Sequence, residues 1–143
     1  MHSDTTTSRA VLSDEGASRA IEAAVEEARI MSVSVTVVIV DEGGNLKALR
    51  RMDRAPLVSI ETARNKAYAA AAIGMPVDDF FEGIRDDGAA VASFASRPGL
   101  ALIAGGVPLI LRGELVGGIG VAGAMTGAED RRIAEAGSQQ AKG

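Results

Sequence analysis

The 143-residue sequence contains no cysteine and no tryptophan, and its single histidine is His2. The absence of cysteine excludes disulfides, thiolate metal sites and cysteine nucleophiles. One histidine cannot form a two-histidine metal site, and its place near the N-terminus argues against a histidine-based catalytic triad. Aromatic residues make up only 3% of a chain that is 47% hydrophobic, so we expect a core of Ala, Val, Ile and Leu.

Basic charge and long apolar runs are also scarce. The net charge is −4, which leaves no excess of basic residues for nucleic acid or for an anionic membrane surface. The longest apolar run, 33–40, contains Ser34 and Thr36 and is too short to cross a bilayer. The N-terminus lacks the basic and then apolar pattern of a secretory signal. We therefore expect a cytoplasmic protein with a flexible segment at 1–11 and a single domain at 12–143.

Hydrophobic periodicity predicts an α+β fold in which hairpins join most of the strands. Helices are predicted at 14–31, about 56–74, 77–84, 86–93 and 129–140. Strands are predicted at 33–40, 46–52, 100–104, 107–112 and 115–121. With the helical segment 77–93 counted once, the order is α-β-β-α-α-β-β-β-α. This pattern predicts a five-stranded antiparallel sheet flanked by helices.

The densest group of polar side chains lies between residues 41 and 67. Arg51 and Asp53 are two residues apart at a strand end, so both can point to one face. Lys66 follows Ser59 by two helical turns, which puts both on one helix face. Arg51 and Lys66 could bind a carboxylate, and Asp53 could accept a hydrogen bond or act as a base, with Asp53 and Lys66 as the candidate catalytic residues. From spacing alone, the more common interpretation is that Arg51, Asp53 and Lys66 form a structural ion-pair network joining the hairpin to the helix.

Glycines form the second candidate group, at Gly105, Gly106, Gly118 and Gly120. Glycine inside a strand marks a bulge, or a surface that another backbone or a flat ligand approaches closely. A dinucleotide fingerprint is not indicated, because the glycines do not lie between a strand and a helix of a βαβ unit. We expect these glycines to meet the polar group at a common ligand-binding cavity. No metal site is predicted.

Three motifs occur in a fixed order across about residues 12–141. The first comprises 41–46, Arg51-Met52-Asp53, Ala55, Ser59, Ala63 and Lys66-Ala67; the second, 105–109 and 117–121; the third, Glu129-Asp130, Ala134 and Ala136-Gly137. Together they resemble the signatures of the GlcG/HbpS-like family of haem-binding proteins, which is also called the haem-degrading-domain family. That family is related to the C-terminal domain of PduO-type corrinoid adenosyltransferases.

The resemblance implies a profilin-like antiparallel sheet and a homo-oligomer, either a tetramer or an octamer. It also implies that haem or a related tetrapyrrole binds through its propionates, with Arg51 and Lys66 as their partners. The sequence departs from haem-binding members because no histidine within the fold can be an axial ligand. Two alternatives therefore stay open. One is a small catabolic enzyme that acts on a carboxylated metabolite by proton transfer, with Asp53 as the base. The other is a ligand-free oligomeric regulatory or assembly module.

Overall fold

The computed structural model describes residues 5–142. Predictions that concern residues 1–4, His2 among them, and residue 143 lie outside the described residues. The helices are α1 (Asp14–Ile30), α2 (Val58–Ile73), α3 (Val77–Ile84), α4 (Gly88–Ala95) and α5 (Gly127–Ala141). The strands are β1 (Thr36–Asp41), β2 (Leu46–Arg51), β3 (Gly106–Leu111) and β4 (Glu114–Ala122).

The strands form one antiparallel sheet in the order β2-β1-β4-β3, flanked by helices. The predicted α+β class and antiparallel sheet are confirmed, but the prediction of five strands is wrong. Residues 100–104 form no strand, because the apolar side chains of Leu100 and Leu102 pack against Ala69, Ala70 and Val77 of the helical layer. Three helices separate β2 from β3, so the order is α-β-β-α-α-α-β-β-α.

The sheet is covered on both faces, and β1 shows how. Val37 and Ile39 join the core cluster beneath α1 and α5, whereas Val38 and Val40 pack against the alanines of α2. A strand that is buried on both faces needs apolar residues at successive positions. This requirement explains the nearly continuous apolar run in the sequence.

The turn between β1 and β2 is built around Asp41. Asp41 Oδ1 accepts hydrogen bonds from the backbone amides of Gly43 and Asn45, both at 2.9 Å. Gly44 follows with a φ of +81°, in the left-handed region that glycine adopts without strain. Partial burial acts to raise the pKa of Asp41, but the amide hydrogen bonds from Asn45 and Gly43 prevail and lower it.

Segments outside the regular elements also contact the sheet. Arg9 Nη2 donates to the carbonyl oxygen of Leu115 at 3.0 Å, and the amide of Ala10 donates to Glu114 Oε1 at 2.9 Å. Leu12 is 2% exposed and belongs to the core. Among the helices of residues 5–142, none is long and apolar enough to cross a membrane.

Candidate functional site

Lys66 points from α2 into the core and forms a buried ion pair with Asp130 of α5. Its Nζ lies 3.0 Å from Asp130 Oδ2 and also donates to the carbonyl oxygen of Val121 at 2.9 Å. The two side chains are only 3% and 7% exposed. Asp130 Oδ1 accepts from the amide of Ala124 at 3.0 Å. Burial raises the pKa of Asp130, although the positive charge and hydrogen bond of Lys66 act to lower it.

The four candidate glycines lie where α2 crosses the sheet. A Cβ on Gly105 would be 2.8 Å from Lys66 Nζ. A Cβ on Gly106, Gly118 or Gly120 would collide with the backbone carbonyl oxygen of Lys66, Ala67 or Ala63, respectively. The glycines thus allow the backbone of α2 to lie directly on β3 and β4. The close partner of this surface is a helix of the same chain.

Arg51, Asp53 and Ser59 lie near the beginning of α2. The guanidinium of Arg51 is exposed and donates from Nε and Nη2 to the carbonyl oxygen of Ala55, at 3.0 and 2.7 Å. Asp53 is also exposed. Ser59 is 2% exposed, and its hydroxyl donates to the carbonyl oxygen of Pro56 and lies 2.8 Å from the hydroxyl of Thr36.

The structure therefore brings Lys66 together with the glycines and leaves Arg51 and Asp53 on the surface. None of the recesses described below is lined by Arg51, Asp53, Ser59, Lys66 or the four glycines. The ligand-binding and catalytic roles of these residues stay predictions.

A different recess lies on the outer side of α2, around Tyr68. It consists of two adjoining cavities of about 230 and 130 Å³ that share Tyr68 and Pro98. We call them together the Tyr68 cleft. The first is lined also by Gly44, Arg64, Asn65 and Gly99, and the second also by Ala72, Ile73, Phe94, Arg97 and Leu100.

The ring of Tyr68 is seated against the β1–β2 turn. A Cβ on Gly44 would lie 2.7 Å from Tyr68 Cδ1, so only glycine leaves room for the ring. Tyr68 is nevertheless 41% exposed and faces the cleft. A second aromatic ring, that of Phe94, lines the cleft and packs edge-on against Phe80 at a centroid distance of 5.1 Å.

Two arginines border the cleft. Arg64 precedes Tyr68 by one helical turn and is exposed on the same face of α2. The guanidinium carbon of Arg97 lies 5.0 Å from the centroid of the Phe94 ring. Neither arginine forms a salt bridge with another residue in the range 5–142. Both cations are thus available to an anionic group in the cleft.

A larger groove of about 880 Å³ runs between α1 and α5. Its walls carry four carboxylates and one arginine, namely Glu15, Glu22, Glu26, Glu27 and Arg19. A ligand that bears carboxylates would meet like charges along this groove. The Tyr68 cleft, although smaller, has the charge that suits such a ligand.

Sequence reasoning missed this cleft as a site. Its walls come from the β1–β2 turn, the outer face of α2, and the segment after α4, which are far apart in the chain. The available signals were Tyr68 as the only tyrosine and Arg64 one turn before it. Neither signal shows that Pro98 and Gly99 close the opposite wall.

Comparison with known proteins supports the resemblance seen in the sequence. Residues 12–139 match the family model described as "Haem degrading protein HbpS-like". The chain belongs to this family. The family prediction made from the sequence motifs is thereby confirmed.

Several HbpS-like relatives are similar over most of their length. Protein GlcG of Escherichia coli (strain K12) is 34% identical over 113 residues, which are 79% of this chain and 82% of GlcG. The crystal structure of a double mutant of Streptomyces reticuli HbpS has a TM-score of 0.86 at 33% identity, covering 97% of this chain and 92% of that one. The crystal structure of a PduOC:heme complex has a TM-score of 0.80 at 29% identity, covering 92% of this chain and 95% of that one.

Proposed function

We propose that this chain binds haem or a related tetrapyrrole in the Tyr68 cleft, through its propionates. One observation carries the proposal: an apolar and aromatic wall adjoins two arginines, Arg64 and Arg97, that pair with no carboxylate of residues 5–142. The PduOC relative was crystallised as a heme complex, which supports haem as the ligand class. When bound, haem supplies an iron centre whose chemistry depends on its axial ligand and exposure.

The residues of the cleft fit the two kinds of surface that a haem presents. The wall formed by Ile73, Phe94 and Leu100 offers apolar contact to the porphyrin ring. The guanidinium groups of Arg64 and Arg97 offer charge-assisted hydrogen bonds to propionate oxygens. Haem therefore fits the donor set of this cleft.

The size of the cleft indicates partial enclosure. Its cavities of about 230 and 130 Å³ each lie below the range of roughly 300–1,000 Å³ that is typical of sites for drug-sized ligands. A tetrapyrrole would thus be covered along one edge and open along the other. A second copy of the chain could cover the open edge, in keeping with the homo-oligomer that the family resemblance implies.

The propionate partners in this proposal differ from those expected at first. Nζ of Lys66 is engaged with Asp130 and with the carbonyl oxygen of Val121, in a position that is 2% exposed. Arg51 is exposed but donates two of its hydrogen bonds to Ala55. We therefore assign the propionates to Arg64 and Arg97 and retain Arg51 as a competing candidate.

Titration with haemin, followed by absorbance in the Soret region, tests the proposal. The wild-type chain should shift the Soret band and saturate. Arg64→Ala and Arg97→Ala should each weaken binding by up to about fivefold, the effect of losing one exposed charge pair. Arg85→Ala is the matched control, because Arg85 is exposed immediately after α3 and pairs only with Glu82 among the described residues.

Two outcomes would overturn the proposal. A titration of the wild-type chain without any spectral change would exclude haem as the ligand. Equal affinities for Arg64→Ala, Arg97→Ala and the Arg85→Ala control, with a loss confined to Arg51→Ala, would move the site to the beginning of α2.

A further inference from the structure

Haem-binding proteins commonly hold the iron through a side-chain donor atom, and this chain offers few. The sequence has no cysteine, and its one histidine, His2, lies outside the described residues. Haem iron in proteins is also ligated by methionine sulfur or by tyrosine oxygen. The choice within residues 5–142 is therefore between four methionines and Tyr68.

The positions of the methionines argue against sulfur ligation in the cleft. Met31 and Met52 pack against the core, and Met52 Sδ accepts the amide of Val35 at 3.5 Å. Met75 and Met125 are 37% and 88% exposed, but neither lines the Tyr68 cleft. Tyr68, in contrast, lines both of its cavities.

The surroundings of Tyr68 favour a ligand role for its oxygen. The residue is carried by α2, and one side of its ring lies against Gly44, which restricts the direction in which the hydroxyl can point. Its hydroxyl has no hydrogen-bond partner among residues 5–142, which leaves the oxygen available.

We propose that Tyr68 ligates the ferric iron of a tetrapyrrole through its phenolate oxygen. This inference rests on the proposed function. In the step, the phenol O–H bond breaks, the proton passes to water, and an oxygen electron pair forms the bond to Fe³⁺. No electron is transferred. A phenolate ligand of this kind would favour the ferric state of the iron over the ferrous state.

The test uses Tyr68→Phe, which keeps the ring against Gly44 and removes only the oxygen. Haemin and metal-free protoporphyrin IX are titrated into the full-length wild type and the variant. Both ligands carry propionates, but only haemin carries iron. We expect Tyr68→Phe to weaken haemin binding at least about tenfold and to leave protoporphyrin binding unchanged. Resonance Raman spectra of the haemin complex should show phenolate modes that are present in the wild type and absent from the variant.

Two controls address other donors. Met75→Leu removes the partly exposed sulfur nearest in sequence to the cleft, and His2→Ala removes the only imidazole. Both variants should keep the phenolate signature and the wild-type affinity.

The outcomes separate the two proposals. If the wild type binds neither haemin nor protoporphyrin, both proposals are wrong. If it binds both, and Tyr68→Phe alters neither affinity nor spectrum, the ligand role of Tyr68 is wrong while tetrapyrrole binding stands. A Soret shift and haemin affinity that are lost in His2→Ala but kept in Tyr68→Phe would assign the ligand to the histidine.

Discussion

Replacing Lys66 by methionine should lower the free energy of unfolding by about 3–5 kcal/mol at neutral pH, the usual effect of removing one partner from a buried ion pair. The carboxylate of Asp130 would then lie in a site that is 7% exposed, with only the Ala124 amide as a partner. The carbonyl oxygen of Val121 would also lose its hydrogen bond from Nζ, a contribution of about 1–3 kcal/mol within that total.

A second substitution should recover part of this loss. In the double variant Lys66→Met, Asp130→Asn, the amide oxygen can still accept from Ala124, and no net charge is buried. We expect the double variant to be about 2 kcal/mol more stable than Lys66→Met alone, within the range measured for directly coupled residues. Lys47→Met makes the same chemical change at an exposed position and should stay within about 0.5 kcal/mol of the wild type.

The stability lost in Lys66→Met should also depend on pH, and the direction of that dependence follows from the pKa of Asp130. Lys66 acts to lower the pKa of this carboxyl, so Lys66→Met should raise the pKa further above its ordinary value of 3.8. A carboxyl with a raised pKa in the folded state contributes stability at low pH that is lost as pH rises through that pKa. The difference between the wild type and Lys66→Met should therefore be greatest near neutrality and shrink in acid.

Urea unfolding monitored by circular dichroism measures these differences, and each kcal/mol should also shift the melting temperature by about 2–4 °C. A loss of less than about 1 kcal/mol in Lys66→Met would contradict the assignment of a buried ion pair. Further destabilisation on adding Asp130→Asn would contradict the reasoning on the unpaired carboxylate.

Three further predictions use the same unfolding assay. Gly120→Ala should lower the free energy of unfolding by about 1–3 kcal/mol, because the new Cβ would collide with the backbone of α2. Gly83→Ala, whose Cβ has nothing within 4 Å, is the control and should be neutral or slightly stabilising. Equal effects of the two substitutions would refute the close approach of α2. Thr126→Ala breaks the capping box of α5 and should cost about 1 kcal/mol; no loss would show that the cap is dispensable. Asp41→Asn should lower the urea midpoint of unfolding at pH 7 but not at about pH 2. The lowered pKa of Asp41 gives stability that is present above pH 3.8 and is lost as the pH falls through the pKa of the folded state. A loss of stability that persists in acid would show that the negative charge of Asp41 is not its cause.

Periodicity predicted most of the elements because each helix or strand has a regular buried face. The helix predicted at 14–31 is α1 (Asp14–Ile30), whose core residues are Ala17, Ala20, Ile21, Ala24, Val25 and Ala28. The strand predicted at 100–104 was wrong because this segment has no regular buried face. Its apolar residues pack against helices through an irregular backbone, and sequence periodicity alone does not separate that case from a short buried strand.

The candidate site was less accessible to sequence reasoning than the fold. Spacing correctly puts Ser59 and Lys66 on one face of α2, but that is the face turned to the sheet, where both are 2% exposed. Nothing in the local sequence shows that Asp130, 64 residues later, supplies the partner of Lys66. A cleft whose walls come from three separate segments, such as the one around Tyr68, depends on tertiary packing in the same way.

Because α2 is one rigid helix, contacts on its buried face affect the Tyr68 cleft on its outer face. The glycines of β3 and β4 set how deeply α2 lies on the sheet, and the Lys66 ion pair ties it to α5. On the opposite face of the same helix, the ring of Tyr68 lies against Gly44 of the β1–β2 turn. Because packed interiors deform little, a Cβ that lifts α2 at Gly120 must also displace Tyr68. Gly120→Ala should therefore weaken haemin binding although Gly120 lines neither cavity of the cleft, and an unchanged haemin affinity in a folded Gly120→Ala variant would disconnect the glycine contact from the site.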